Sequence, residues 1–293
     1  MKFACIDAQK AGMSLARLCA CAGVSISGYY AWKQRAPSRR QLDDMIILAH
    51  IRNQFALSRE TYGSPRMHVE LNEAGIHVGR HRTARLMRAN ALKARQKTRF
   101  KRTTDSNHGE PIAANVLNQN FSCQRVNQKW GADISYIWTT EGWLYLAIVV
   151  DLYSRRIVGW EARDRMKKAL AITALNKAIA IRQPRPGLIQ HSDRGSQYAS
   201  DAYRKLLKAH QIIPSMSGKG NCYDNAMVET VFKTIKAELI WRTAFQRRDE
   251  AIKAIGSYID GFYTPVRRHS SLGYQSPIAF EARIRKSNPE ALH

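Results

Sequence analysis

Three runs rich in Ile, Val, Tyr and Trp, at Gly131–Thr139, Trp143–Leu152 and Arg156–Ala162, stand close together in mid-chain. Glu141-Gly142 and Ser154-Arg155 separate them as turns. Such runs, bounded by turn residues, predict three consecutive strands. A helix is expected next over Met166–Ile181. The turn Pro184–Gly187 follows, then the short apolar run Leu188–His191, which reads as a buried strand. A helix over Ser200–His210, one further strand and a final helix complete the pattern. Asp133 lies on the first strand. Asp193 lies just past the carboxyl end of the fourth, where ligand sites gather in open α/β sheets.

Asp224-Asn225 is a helix N-cap signal. Beyond it Val228, Val231, Phe232, Ile235 and Leu239 form a one-sided apolar stripe. Glu229, Lys233 and Lys236 share a different face, so a carboxylate and two ammonium groups stay available while the stripe is buried. Asp133, Asp193 and Glu229 are thus three carboxylates on three separate elements. Hard divalent cations such as Mg²⁺ take a few protein carboxylates and complete their shell with water and phosphate. Two such ions stabilise the attacking and leaving oxygens of a phosphodiester displacement. Asp151, after the second strand, is expected to be a turn residue outside this trio, and capping suffices to explain Asp224.

Four ordered words carry a resemblance: WGADISYI around Asp133, HSDRGSQY around Asp193, DNAMVET around Glu229 and RRHSSLGYQSP near the end. Together they resemble the orf-B transposase of the third insertion-sequence family, whose catalytic core is like that of retroviral integrases. Ala132, where that family more often has Thr, touches no expected ligand position. The resemblance implies an α/β ribonuclease-H-like catalytic domain behind N-terminal all-α helix-turn-helix modules. It implies a DDE-type polynucleotidyl transferase that nicks element ends and transfers the freed 3′-hydroxyl. Asp133, Asp193 and Glu229 would be catalytic, holding two Mg²⁺ ions for which Mn²⁺ can substitute, with Lys233 and Lys236 holding DNA nearby. It also implies a homo-oligomer in the synaptic complex and an upstream-frame protein, fused by ribosomal frameshifting, that supplies a leucine zipper. A DNA-binding regulator with an inactive integrase-like domain, and a nuclease without joining activity, are the alternatives. The intact trio argues against the first.

Charge points the same way. The 293 residues hold 47 Lys and Arg against 23 Asp and Glu, a net charge of +24, which calls for a polyanionic partner. No apolar run approaches membrane-spanning length, no signal core opens the chain, and the five scattered cysteines read as reduced. A cytoplasmic, nucleoid-associated bacterial protein is expected. His77 and His81 have zinc-ligand spacing without a cysteine pair, and read as surface residues.

Five segments are expected. Residues 1–36 hold a short helix-turn-helix, with Tyr29, Tyr30 and Trp32 in its core and Ser25 or Ser27 as a cap. Residues 41–100 form a basic helix-turn-helix-like domain. In it Leu42–Ala56 turns Met45, Ile46, Leu48 and Ile51 inward, and the last helix offers Arg80, Arg82, Arg85 and Arg88 to phosphates. From Arg80 to Arg102 there are ten Lys and Arg and no Asp or Glu. Residues 101–127 are a polar linker and 128–245 the catalytic core. Residues 246–293 form a helix, Asp249–Phe262, and a tail anchored by Leu272, Tyr274 and Ile278 that turns Arg267 and Arg268 toward DNA.

Overall fold

The structure is a computed structural model and describes residues 2–94, 111–218 and 222–287. Its centre is a five-stranded sheet in the order β3-β2-β1-β4-β5. The strands are β1 (Lys129–Thr139), β2 (Gly142–Asp151), β3 (Ile157–Arg163), β4 (Ile189–Ser192) and β5 (Ile213–Met216). β1, β2 and β3 pair antiparallel, whereas β4 runs parallel to both β1 and β5.

Period-two alternation buries both faces of the sheet. Leu144, Leu146, Ile148 and Val150 of β2 enter one core. Ala147 and Val149 enter the other, beneath α7 (Lys168–Arg182), α8 (Ser196–Ala199) and α9 (Asp201–Ala209). The first core is closed by α10 (Ala226–Glu238) and α11 (Arg248–Tyr258). It continues without a break into the helices α4 (Arg39–Leu57), α5 (Ser64–Glu73) and α6 (Arg80–Ala89) through Ile47, Ile51, Phe55, Met67, Leu71 and Leu86.

The N-terminal unit is α1 (Lys2–Gln9), α2 (Leu15–Ala22) and α3 (Ile26–Gln34), around its own small core of Ile6, Leu18, Cys19 and Tyr29. Ser25 caps α3 by accepting from the Gly28 N–H at 3.0 Å. Tyr29 is buried and Trp32 packs beside it, but Tyr30 is exposed.

α4 turns Ile47, Ile51 and Phe55 inward, while Met45 and Ile46 stand 63% and 59% exposed. Two apolar stripes compete on that helix, and α5 and α6 dock on the one spaced i, i+4, i+8. α1 and a last helix, α12 (Pro277–Ser287), were not anticipated. α12 is fastened to the core by Glu281, which accepts from Arg182 at 2.8 and 2.9 Å and from Arg156 at 2.8 Å. Leu272 is buried as an anchor, but Ile278 is exposed. The described part of the linker, 111–127, has no regular element yet packs on the core, burying Leu117 and Val126. The basic run from Arg95 to Arg102 and linker residues 103–110 lie outside the described residues. Among the described residues no helix is long and apolar enough to cross a membrane.

Candidate active site

β1 and β4 set two of the three carboxylates side by side. Their ladder ends on Ala132↔Ser192. The next residues are Asp133, still within β1, and Asp193, just past the end of β4. Neighbouring strands lie about 4.8 Å apart, so the two carboxylates come within electrostatic reach of one another where β4 ends.

Local bonds hold each one. The Ile134 N–H donates to Asp133 Oδ1 at 2.8 Å, and the Gly195 N–H to Asp193 Oδ1 at 3.0 Å. Behind Asp193, the buried His191 ring contacts Ser215 Oγ at 2.9 Å and Ser217 Oγ at 3.2 Å. Burial pushes this imidazole down to about 4, so it stays neutral around pH 7 and ties β4 to β5.

Glu229 reaches the same corner from α10, which packs against β1. Gly131 makes that approach possible. A Cβ there would lie 2.4 Å from Val228 Cγ2 and 3.1 Å from Leu152 Cδ2. Glycine, two residues before Asp133, therefore sets how near the helix bearing Glu229 comes to the strand bearing Asp133. Gly131→Ala is expected to cost about 1–3 kcal/mol through overpacking. Urea unfolding checks this: Gly131→Ala should be destabilised, and a second change, Val228→Ala, should recover part of the loss. Unchanged stability in the single variant would show that α10 does not need the gap.

The carboxylates feel one another. Burial first, then Asp193, and then Glu229 push Asp133 well above the usual carboxylate range. Two lysines offset this charge. Lys233 Nζ lies 3.3 Å from Glu229 Oε2. Lys236 is buried, with its ammonium within electrostatic reach of Asp133, and burial pushes it down. The expectation that Lys236 holds DNA beside the metals places it at this same acidic corner, where its side chain is buried.

Asp151 stays outside the trio. It is fully buried and accepts from the N–H groups of Asn127, Tyr153 and Ser154 at 2.6, 2.9 and 3.0 Å. Asp224 is also buried. It accepts from Asn115 Nδ2 at 2.9 Å and the Gly218 N–H at 2.7 Å, so it clamps the 111–127 segment and the loop after β5. The expected capping role is not what it performs: the N-cap position of α10 is Asn225, with no side-chain cap bond.

The integrase core domain model matches residues 124–222, a second integrase core domain model matches 210–277, and an HTH-like domain model matches 41–100. The 31 kDa protein of insertion element IS600 from Shigella sonnei is 47% identical, over 91% of this chain and 98% of its own length. Transposase InsF for insertion sequence IS3A from Escherichia coli K12 is 39% identical, over 96% and 98%. The chain belongs to the IS3 transposase family. Its core is therefore an integrase catalytic core of ribonuclease-H type with an HTH-like domain before it, and its enzymatic class is that of the DDE polynucleotidyl transferases. The HTLV-2 integrase catalytic core domain in complex with magnesium shares 15% identity with this transposase, covering 55% of it and 99% of that chain, at a TM-score of 0.43.

The arginines of this transposase divide. Arg80 and Arg88 are exposed on α6. Arg82 and Arg85 each reach Asp44 of α4 at 2.7 Å, Arg85 remaining exposed as it does so. In the tail, Arg267 is buried and forks onto Glu238 at 2.7 and 2.6 Å. Arg268 pairs with Glu70 and with Glu73, the latter at 2.6 Å. Neither tail arginine faces outward as expected. Their partners sit on α10 and α5, separations in sequence too large for pattern reading to find.

Proposed function

We propose that Asp133, Asp193 and Glu229 are the catalytic carboxylates of a transposase that nicks the ends of its own insertion sequence and transfers the freed 3′-hydroxyl to target DNA. The observation that carries this is that Asp133 and Asp193 directly follow the last pair of the β1–β4 ladder, with Glu229 on the helix packed against β1 and both Asp193 and Glu229 acting electrostatically on Asp133.

Among the described residues no group of three His, Cys, Asp or Glu side chains is close enough together to hold a metal ion. The donor set nevertheless fits hard divalent cations. It is all carboxylate oxygen, and burial, followed by the charges of Asp193 and Glu229, pushes Asp133 up. Asp133, Asp193 and Glu229 would hold two Mg²⁺ ions, or Mn²⁺, which would stabilise the attacking and leaving oxygens of the displacement. The protein's own part is positional. Gly131 lets Glu229 approach, His191 secures the end of β4, and Lys236 moderates the charge on Asp133. Lys233, paired with Glu229 and half-exposed, can turn to a phosphate once that carboxylate is engaged.

DNA is the partner, and the site of action is the bacterial cytoplasm. Arg80 and Arg88 make the phosphate contacts of α6. Joining two ends needs two active sites, so the working form is a homo-oligomer. By resemblance, the upstream-frame product fused through frameshifting supplies the pairing helix.

The test is a strand-transfer assay with labelled element ends, comparing this chain with the frameshifted fusion. Metal-dependent nicking by both and concerted joining by the fusion are expected. Cleavage without joining in either form would leave a nuclease. The arginine assignment has its own test. Arg80→Ala and Arg88→Ala should each lower the slope of log affinity against log salt by about 0.9. Arg82→Ala and Arg85→Ala should leave it near the wild-type value. Fluorescence titrations across a salt series measure this, and equal slopes for all four variants would overturn the division.

A further inference from the structure

On the side of α10 turned away from Glu229 lies a cleft of about 770 Å³, bounded by α5, α10, the turn after β2 and the tail. Arg66, Arg155, Thr230, Thr234, His269 and Ser270 line it, with the Arg267–Glu238 pair at its floor. Its charge does not balance. Glu238 is taken by the bidentate Arg267 and also accepts from Tyr258 Oη at 2.7 Å. Among the described residues neither Arg66 nor Arg155 has a carboxylate within ion-pair distance.

Both guanidiniums are half-buried all the same. Arg66 rests on the Tyr62 ring, 5.7 Å from its centroid. Arg155 Nε is buried with no hydrogen-bond partner, and the residue holds a left-handed backbone at φ 61°, which is uncommon without glycine. Desolvation lowers both arginines. The crowded cations, after burial, push His269 far below its ordinary range, so it adds no charge. Three guanidiniums facing one carboxylate in a low-dielectric cleft is costly unless an anion completes the set. Arginine forks match the oxygens of phosphate. The walls come from the HTH-like domain, the catalytic core and the tail, so an anion here would join all three.

We propose that this cleft is a second nucleic-acid site, in which Arg66 and Arg155 grip a backbone phosphate of DNA behind the catalytic helix. The inference rests on the DNA-joining reading only for the identity of the phosphate's carrier. Binding is measured without divalent metal, so a failure to cut DNA and a failure of this site are separate results.

The deciding experiment uses the wild-type full chain. Arginines are modified with phenylglyoxal, with and without a duplex oligonucleotide, and mapped by peptide mass spectrometry. Duplex should slow modification of Arg66 and Arg155 at least several-fold, and raised salt should abolish the protection. Arg267, already held by Glu238, should react slowly throughout. Equal reactivity of Arg66 and Arg155 with and without duplex would overturn the proposal, as would protection by inorganic phosphate but not by DNA. Arg66→Gln and Arg155→Gln give an independent reading. Each should reduce the salt slope, the double variant by about 0.9 in all, and each should melt no lower than wild type in the absence of DNA, because like-charge crowding is relieved. A variant that melts lower and keeps its slope marks a structural arginine and also overturns the proposal.

Discussion

Asp193→Asn is expected to abolish metal-dependent cleavage of a labelled element end while leaving duplex binding largely intact. Asparagine keeps the shape of the side chain. Its amide oxygen can still accept from the Gly195 N–H, which now donates to Asp193 Oδ1 at 3.0 Å, so the loop after β4 should hold. What is lost is a negative charge beside Asp133. Removing even an outer-shell partner of a metal ligand typically costs about 10–100-fold, so loss of a ligand should exceed a hundredfold. Asp193 is also one of the charges that push Asp133 up. Neutralising it relieves repulsion, and the variant should melt no lower than wild type. Cleavage in Mg²⁺, thermal melting and duplex binding together check this. An Asp193→Asn chain that cuts as fast as wild type would remove Asp193 from the catalytic set.

Arg267→Ala should be among the most destabilising single changes in the tail, at about 3–5 kcal/mol, the usual cost of leaving one half of a buried ion pair alone. The Arg267 and Glu238 side chains are 5% and 10% exposed, so water cannot replace the missing partner. The double change Arg267→Met with Glu238→Leu removes both charges and should regain much of that loss. Urea denaturation of the wild type, the single and the double variant measures the difference. Arg267→Ala with near-wild-type stability but weakened DNA binding would return Arg267 to the DNA-facing role expected from its place in the RRHSSLGYQSP word.

Arg267 sits in a legible word, but its partner does not. The runs of Ile, Val, Tyr and Trp, the turn residues between them and the stripe on α10 are local signals. They predicted the strand and helix order and put Asp133, Asp193 and Glu229 on their elements without knowledge of neighbours. The four words did the same for the family, since each lies within a few consecutive residues. α4 was legible as a helix, but not as to which of its two apolar stripes is covered. Nothing in Met45, Ile46 or Ile47 says where α5 and α6 dock.

The tertiary structure alone decided matters of distance across the chain. It put Glu238 against Arg267, Asp44 against Arg82 and Arg85, and Glu281 against Arg182. It thereby took several arginines out of the basic surface inferred from composition and committed them to ion pairs. It also gave Gly131 its purpose, because a missing Cβ matters only where another element comes within 3 Å. The sequence by itself determined which residues carry charge and on which local element each one sits. Whether a charge is spent on a partner, left to bind DNA or crowded into a cleft is a property of pairs. Coulomb and desolvation energies depend on separation and burial, and only the packed chain sets those.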